Sequence, residues 1–290
     1  KQRNTTSLFA DFNIDDFSGA AFNIHLRQVL IDRDLSPFLI AAGMKYRFHN
    51  VKSLSLKANI SRNFRAPSLH DLYWYPGGNP ELKPEKGWTA ESGMAFLKNN
   101  VLKVLNLKAE LTGFYSQVED WIQWSPTESG YWQAQNLKEV LSRGIEGSLK
   151  LDFNLKNFKI EGMGMYSYVQ STNEKPISNA DSSVGKQLIY VPLYSIQSYL
   201  RIRKKDFYFT YEYTYTDIKY ITTDNSWYMP AYWLGNVVVG KGFRWNGMRV
   251  NMQFEVKNIW NRQYQSIANR PMPGRYYGVS VSVLFNKGHL

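Results

Sequence analysis

Residues that could do catalytic chemistry are few and scattered. The four histidines, His25, His49, His70 and His289, stand alone, no two of them at metal-ligand spacing. No Gly-x-Ser-x-Gly elbow and no HExxH occurs. His70-Asp71 is the one dipeptide that suggests acid/base work, but a lone pair of this kind in a loop more often caps or packs it. With no cysteine, thiolate sites and disulfides are excluded. The expectation is no catalytic residues, no metal, no cofactor and no enzyme. What remains is aromatic chemistry. Tyr73, Trp74 and Tyr75, then Trp121, Trp124, Tyr131 and Trp132, then Trp227 and Tyr228 fall in the long connections. Rings of this kind stack on a large flat ligand, or form a belt at a membrane interface.

The elements that must hold them are strands. Leu54, Leu56, Ala58 and Ile60 alternate with Ser55, Lys57, Asn59 and Ser61, and Phe207, Phe209, Tyr211, Tyr213 and Tyr215 alternate with Tyr208, Thr210, Glu212, Thr214 and Thr216. The closing stretch sets Tyr277, Val279, Val281, Val283 and Phe285 against Gly278, Ser280 and Ser282. The whole chain reads as about thirteen such strands and no helix. The polar faces carry Glu91, Glu110, Glu146, Glu212 and Glu255 with Lys57, Lys108, Lys150, Arg201, Arg203 and Lys257, as a hydrated lumen would.

Connections alternate in length. Short ones fall near 16–19, 49–52, 98–103, 154–157, 204–206 and 243–248, long ones near 32–38, 65–87, 119–139, 170–192, 217–231 and 259–275. Segregation of short turns and long loops to opposite ends is the pattern of a transmembrane β-barrel. The reading places the five long loops after residue 65 outside the cell and Phe285 at the periplasmic end. An odd strand count cannot close alone, so a partner segment is expected. The longest connection, residues 62–85 (RNFRAPSLHDLYWYPGGNPELKPE), is punctuated by Pro67, Pro76, Pro80 and Pro84 and by Gly77-Gly78, which rule out a continuous ladder or helix.

Composition agrees. The 290 residues are 16% aromatic, no apolar run is long enough for a spanning helix, and the net charge is +11. The basic residues are spread singly, against a nucleic-acid stripe and in keeping with an anionic lipopolysaccharide surface or ligand.

Arg65-Ala66-Pro67-Ser68, Asp71-Leu72-Tyr73 and Gly78-Asn79-Pro80-Glu81-Leu82-Lys83-Pro84-Glu85 resemble a loop of the TonB-dependent outer-membrane receptors. The resemblance continues through Asn136 to Gly147, then Asn258-Ile259-Trp260-Asn261, Tyr264, Pro273-Gly274-Arg275-Tyr276 and the strand ending at Phe285. Its spacing looks most like the vitamin B12 (cobalamin) receptors, and the closing motifs also look like haem and siderophore receptors. The resemblance implies an all-β antiparallel barrel of about 22 strands around a plug, with residues 1–290 as its C-terminal part and the plug and early strands missing. It implies bacterial outer-membrane residence, a TonB complex as energy source reached through the missing N-terminal part, a plug gripped by the wall, contact with outer-membrane lipid, and uptake of a large scarce nutrient. It marks Arg65, Pro67, Asn79, Pro80, Glu85, Asn258, Gly274, Arg275 and Phe285 as architectural. A passive porin or adhesin is the rival that the alternation also permits.

Overall fold

The computed structural model describes residues 1–127 and 129–285. Thirteen strands run as an antiparallel meander, each paired with its neighbours in sequence. They are β1 (Thr5–Phe17), β2 (Ala20–Ile31), β3 (Leu39–Arg47), β4 (Leu54–Arg65), β5 (Glu85–Val101), β6 (Leu105–Pro126) and β7 (Trp132–Leu155). Then come β8 (Phe158–Asn173), β9 (Tyr194–Lys204), β10 (Phe207–Thr216), β11 (Tyr232–Trp245), β12 (Met248–Lys257) and β13 (Tyr276–Leu284). The two-residue strand Asp34–Leu35 folds back on β2 and brings the sheet to 14.

Register explains why one chain makes two chemically different faces. Directly paired residues share a face, so a row can be read across the ladder. Tyr46, Leu56, Met94, Leu111, Gly147, Tyr166, Ile196, Tyr215 and Trp233 form one row. The row one residue away is Lys57, Gly93, Thr112, Glu146, Ser167, Ser195 and Thr216. The first is apolar yet uncovered, Met94 and Leu111 each being 49% exposed. Closer to the short turns, Leu105, Phe153, Ile160, Ile202, Phe209, Val239, Phe254 and Val279 repeat the pattern. A sheet whose apolar side faces outward and whose polar side faces in inverts the soluble rule and suits a wall between lipid and a wet lumen.

All six expected short turns are present. The long connections differ from expectation in two ways. Residues 119–139 are mostly ladder, since pairing continues from Trp121↔Leu137 to Pro126↔Trp132 and leaves only the short connection between those last two residues outside it. Trp121, Trp124 and Trp132 therefore sit on strands. The alternation fails there because both faces are covered: Ile122, Trp124 and Ala134 pack with Leu72 and Leu82 of the loop 66–84, while Trp121, Leu137 and Val140 pack with Leu188 and Val191 of the loop 174–193. The second correction is the helix α1 (Leu69–Tyr73), one turn placed between Pro67 and Pro76. Ser68 caps it, its Oγ accepting from the Asp71 N–H (3.0 Å) while the Asp71 carboxylate accepts from the Ser68 N–H (2.9 Å).

Candidate functional site

The loop end of the wall is built on a charged clasp. Arg65 closes β4 and Glu85 opens β5, directly opposite each other. The Arg65 guanidinium grips Glu85 with both ends of its fork, Nε donating to Oε2 at 2.7 Å. The same carboxylate accepts the Ile122 N–H at 2.8 Å, tying the base of the loop to β6. Asp71 lies 3.7 Å from Arg65 and accepts from Trp124 Nε1 at 2.9 Å. Burial works against the Asp71 charge, but the Trp124 and Ser68 donors and nearby Arg65 outweigh it and hold the carboxyl below its usual range. His70 is not aligned with this carboxylate; its ring lies between Trp74 (4.7 Å) and Trp124 (5.2 Å). The His70-Asp71 dipeptide is thus split between packing and capping.

The rest of the loop is seated on the hairpin. Asn79 Nδ2 donates to the Ala134 carbonyl (3.3 Å), and its Oδ1 receives the Glu81 N–H in a turn with exposed Pro80 at its corner. Asn136 Oδ1 accepts the Lys83 N–H (2.9 Å) and its Nδ2 donates to the Asp120 carbonyl (2.6 Å). Buried Pro67 gives its carbonyl to the Arg3 guanidinium. The Ala134 N–H donates to Gly77 O at 2.9 Å, and a Cβ at Gly77 would fall 1.7 Å from the Trp132 carbonyl oxygen. Gly77→Ala is therefore expected to lift the loop off the hairpin, read as new protease cleavage within 66–84 of an otherwise intact barrel.

The remaining motif residues lock the last long loop. Asn258, buried and left-handed at φ 51, accepts the Arg262 N–H (2.9 Å) and donates to the Arg262 (2.8 Å) and Pro273 (3.4 Å) carbonyls. Gly274 passes against the Asn261 side chain, which accepts the Arg275 N–H at 2.8 Å. Phe285 follows β13 at the short-turn end and is exposed.

The candidate ligand-contacting aromatics divide into three groups. Tyr73, Trp74, Tyr75, Trp227 and Tyr228 are exposed around the loop end, Tyr75 to 90%. Trp227 is held by its N–H on Thr222 Oγ1 (3.1 Å), in a turn where the Thr222 and Ser226 donors hold the Asp224 carboxyl at about 2. Tyr131 and Trp132 lie at the hairpin tip, half-exposed, with Trp132 5.7 Å from Tyr190. Trp121 and Trp124 are instead engaged in the two packing clusters.

Sequence reading missed a cleft of about 680 Å³ between two small hairpins, Lys219–Tyr220 with Tyr228–Met229 and Gln265–Ile267 with Arg270–Pro271. Tyr228, Met229, Tyr232, Tyr264 and Met272 line it, with Tyr232 and Tyr264 4.7 Å apart. Lys219 ties the two hairpins, donating to Ser266 O at 3.0 Å, and burial pushes its ammonium pKa down. Strands this short show no periodicity, so only the Tyr and Met content could have signalled the cleft. The loops are also joined to one another: Asn225 makes reciprocal bonds with the Gln187 backbone (2.9 and 2.8 Å), and the Tyr190 N–H reaches Tyr220 O (2.9 Å).

An apolar outer row, a polar inner row, short turns at one end and interlocked aromatic loops at the other define the wall of an outer-membrane-type β-barrel. The chain belongs to the TonB-dependent receptor-like β-barrel family, whose sequence profile matches residues 4–259. It is 34% identical over 103 residues to the vitamin B12 transporter BtuB of Photobacterium profundum, covering 34% of this chain and 16% of that protein. Against BtuB of Vibrio vulnificus the figures are 33% over 90 residues, 31% and 14%. The fold superposes on the ferric enterobactin receptor PfeA of Pseudomonas aeruginosa with a TM-score of 0.72 at 18% identity, covering 97% of this chain and 45% of that one. For the siderophore receptor PirA of Acinetobacter baumannii the TM-score is 0.72 at 16% identity, covering 96% and 45%. The chain thus spans a little under half of the solved receptors it matches.

Proposed function

We propose that this chain is part of the wall of an outer-membrane, TonB-dependent importer that takes up a large, scarce nutrient, cobalamin or a related corrinoid. The observation that carries the reading is the loop end itself: Tyr228, next to exposed Trp227, lines an aromatic cleft, exposed Tyr73, Trp74 and Tyr75 stand on the loop 66–84, and these loops are linked in turn through the hairpin of β6 and β7 and the Asn225–Gln187 bonds. Flat apolar rings set on a rigid support capture a large planar ligand by stacking without a large ordering cost. The BtuB relatives favour a corrinoid over a ferric siderophore. Transport would then be binding plus gating: the loops hold ligand, a plug moves under force from the TonB complex, and the wall stays static.

Cyanocobalamin binding to the detergent-solubilised full-length receptor tests this. Trp74→Ala combined with Trp227→Ala is expected to weaken binding roughly thirtyfold, each ring contributing on the order of 1 kcal/mol. Binding of a ferric siderophore with no response to cyanocobalamin would overturn the corrinoid assignment. The orientation is testable separately: cysteines at Ser129 and Asn179 are expected to react with an impermeant thiol reagent on intact cells, and one at Asn157 is not. The opposite labelling would invert the topology.

A further inference from the structure

Several charges of the polar face are balanced within the wall. Glu110 sits between Lys57 (3.2 Å) and Lys108 (3.3 Å), Glu161 between Lys159 (2.9 Å) and Arg201 (3.8 Å), and Lys257 between Glu212 (3.8 Å) and Glu255 (3.7 Å). At the short-turn end of β9 to β12 the balance stops. A cleft of about 520 Å³ there is lined by four cations, Arg201, Arg203, Lys205 and Arg249, with Asp206 as the one acid. Beside it Arg244 lies directly opposite Arg249 in the ladder. Like charges in that position repel and destabilise the pair of strands. Among the described residues, no carboxylate forms an ion pair with Arg203, Lys205, Arg244 or Arg249.

The floor of the cleft has a second chemistry. Tyr208 lies flat across Gly240, where a Cβ would come within 2.1 Å of the ring. Its hydroxyl donates to Gln253 Oε1 (2.9 Å) and accepts from Asn251 Nδ2 (3.5 Å). Side-chain amides and a phenol pair with peptide N–H and C=O groups, and arginine forks take carboxylates two bonds at a time. The apolar row that would meet lipid, with Phe254 and Val279, is on the opposite face. A lipid phosphate is therefore on the wrong side of the wall, and a bare anion would leave the amide floor unused.

We infer that this cleft docks an acidic peptide segment running inside the barrel, its Asp or Glu carboxylates held by Arg203 and Arg249 and its backbone laid over Tyr208, Asn251 and Gln253. The inference rests on the proposed reading of the polar face as the barrel interior. It adds the site and the charge of what lies there. Docking of that segment neutralises the Arg244–Arg249 repulsion, so wall and occupant stabilise each other.

The test is a photo-cross-link in the full-length receptor in outer membranes, with Tyr208→p-benzoylphenylalanine. The expected product is an internal cross-link that peptide mapping assigns to a stretch rich in Asp and Glu. Arg203→Glu with Arg249→Glu is expected to cut its yield roughly tenfold, while Lys156→Glu, in the neighbouring turn, leaves it unchanged. Heat-modifiable mobility confirms that each variant folds, and Arg203→Gln with Arg249→Gln serves if the Glu pair does not. A cross-link to a neutral or basic stretch, to residues 286–290 of this chain, or to no peptide overturns the inference alone. A cross-link to lipid overturns the assignment of the faces as well.

Discussion

Arginine in place of Leu111 is expected to cost the folded receptor about 2–4 kcal/mol, while arginine at Thr112, one residue along, costs less than about 1 kcal/mol. Leu111 is half-exposed in the middle of the apolar row, between Met94 and Gly147 on the adjacent strands. A guanidinium there would have to leave water for hydrocarbon with no acceptor beside it. Thr112 points the other way, between Gly93 and Glu146, where an added cation meets a carboxylate and water. The measurement is the denaturant midpoint of heat-modifiable barrel in lipid vesicles for the full-length receptor. Equal losses, or the larger loss at Thr112, would show that the two faces are assigned in reverse.

Glu85→Ala is the second large effect, expected at about 2–3 kcal/mol and confined to the loop end. The substitution removes both acceptors of the Arg65 fork and strands the buried Ile122 N–H, which donates to Glu85 Oε1. Arg65 is half-exposed and regains water, which keeps the loss below that of a fully buried pair. Hydrogen exchange should accelerate across 66–84 and at Ile122 while the strands from β8 onward stay protected. Glu85→Gln, which keeps an acceptor for Ile122, should lose roughly half as much. The clasp also has a pH signature. Asp71 titrates below its ordinary range, so it contributes stability above the unfolded value, and that contribution is lost as pH falls through the depressed one. Loop protection should therefore survive passage through about pH 4, the ordinary aspartate value, and fall in stronger acid. Asp71→Asn should remove that step.

Strand-level architecture was legible because period-two alternation reports a sheet with unlike faces, and this wall has one dry and one wet face over most of its length. Phe207 to Thr216 shows this most clearly, each residue's chemistry matching its row. Legibility ended where that asymmetry ended. Residues 121–125 are covered on both sides, so their sequence has no reason to alternate, and the ladder was read as loop. Trp121 and Trp124 were candidates for ligand contact because exposure was inferred from a loop assignment; on a covered ladder the same rings become packing. The motif residues Arg65, Asn79, Glu85 and Asn258 stood out in the sequence, but bonds such as Asn79 to Ala134 and Glu85 to Ile122 run between segments distant in sequence. The pairing of Asn225 with the Gln187 backbone left no trace at all, since two polar residues 38 positions apart carry no periodic signal.

The hairpin of β6 and β7 has a mechanical consequence. A strand of 22 residues is roughly 70 Å long at about 3.3 Å per residue, and an apolar band about 25 Å tall crossed at a tilt takes only about 10 of those residues. In the proposed placement the remaining dozen stand as a cantilever some 30 Å beyond the membrane, continuous with the wall apart from the left-handed Asp120 (φ 55) within it. Loops 66–84 and 174–193 are bonded to its two sides like skins on a beam. A load taken up on one skin is transmitted as shear through the shared ladder to the other, so in that placement the stretch yields as one piece and the turn between Pro126 and Trp132 is what an approaching ligand first meets.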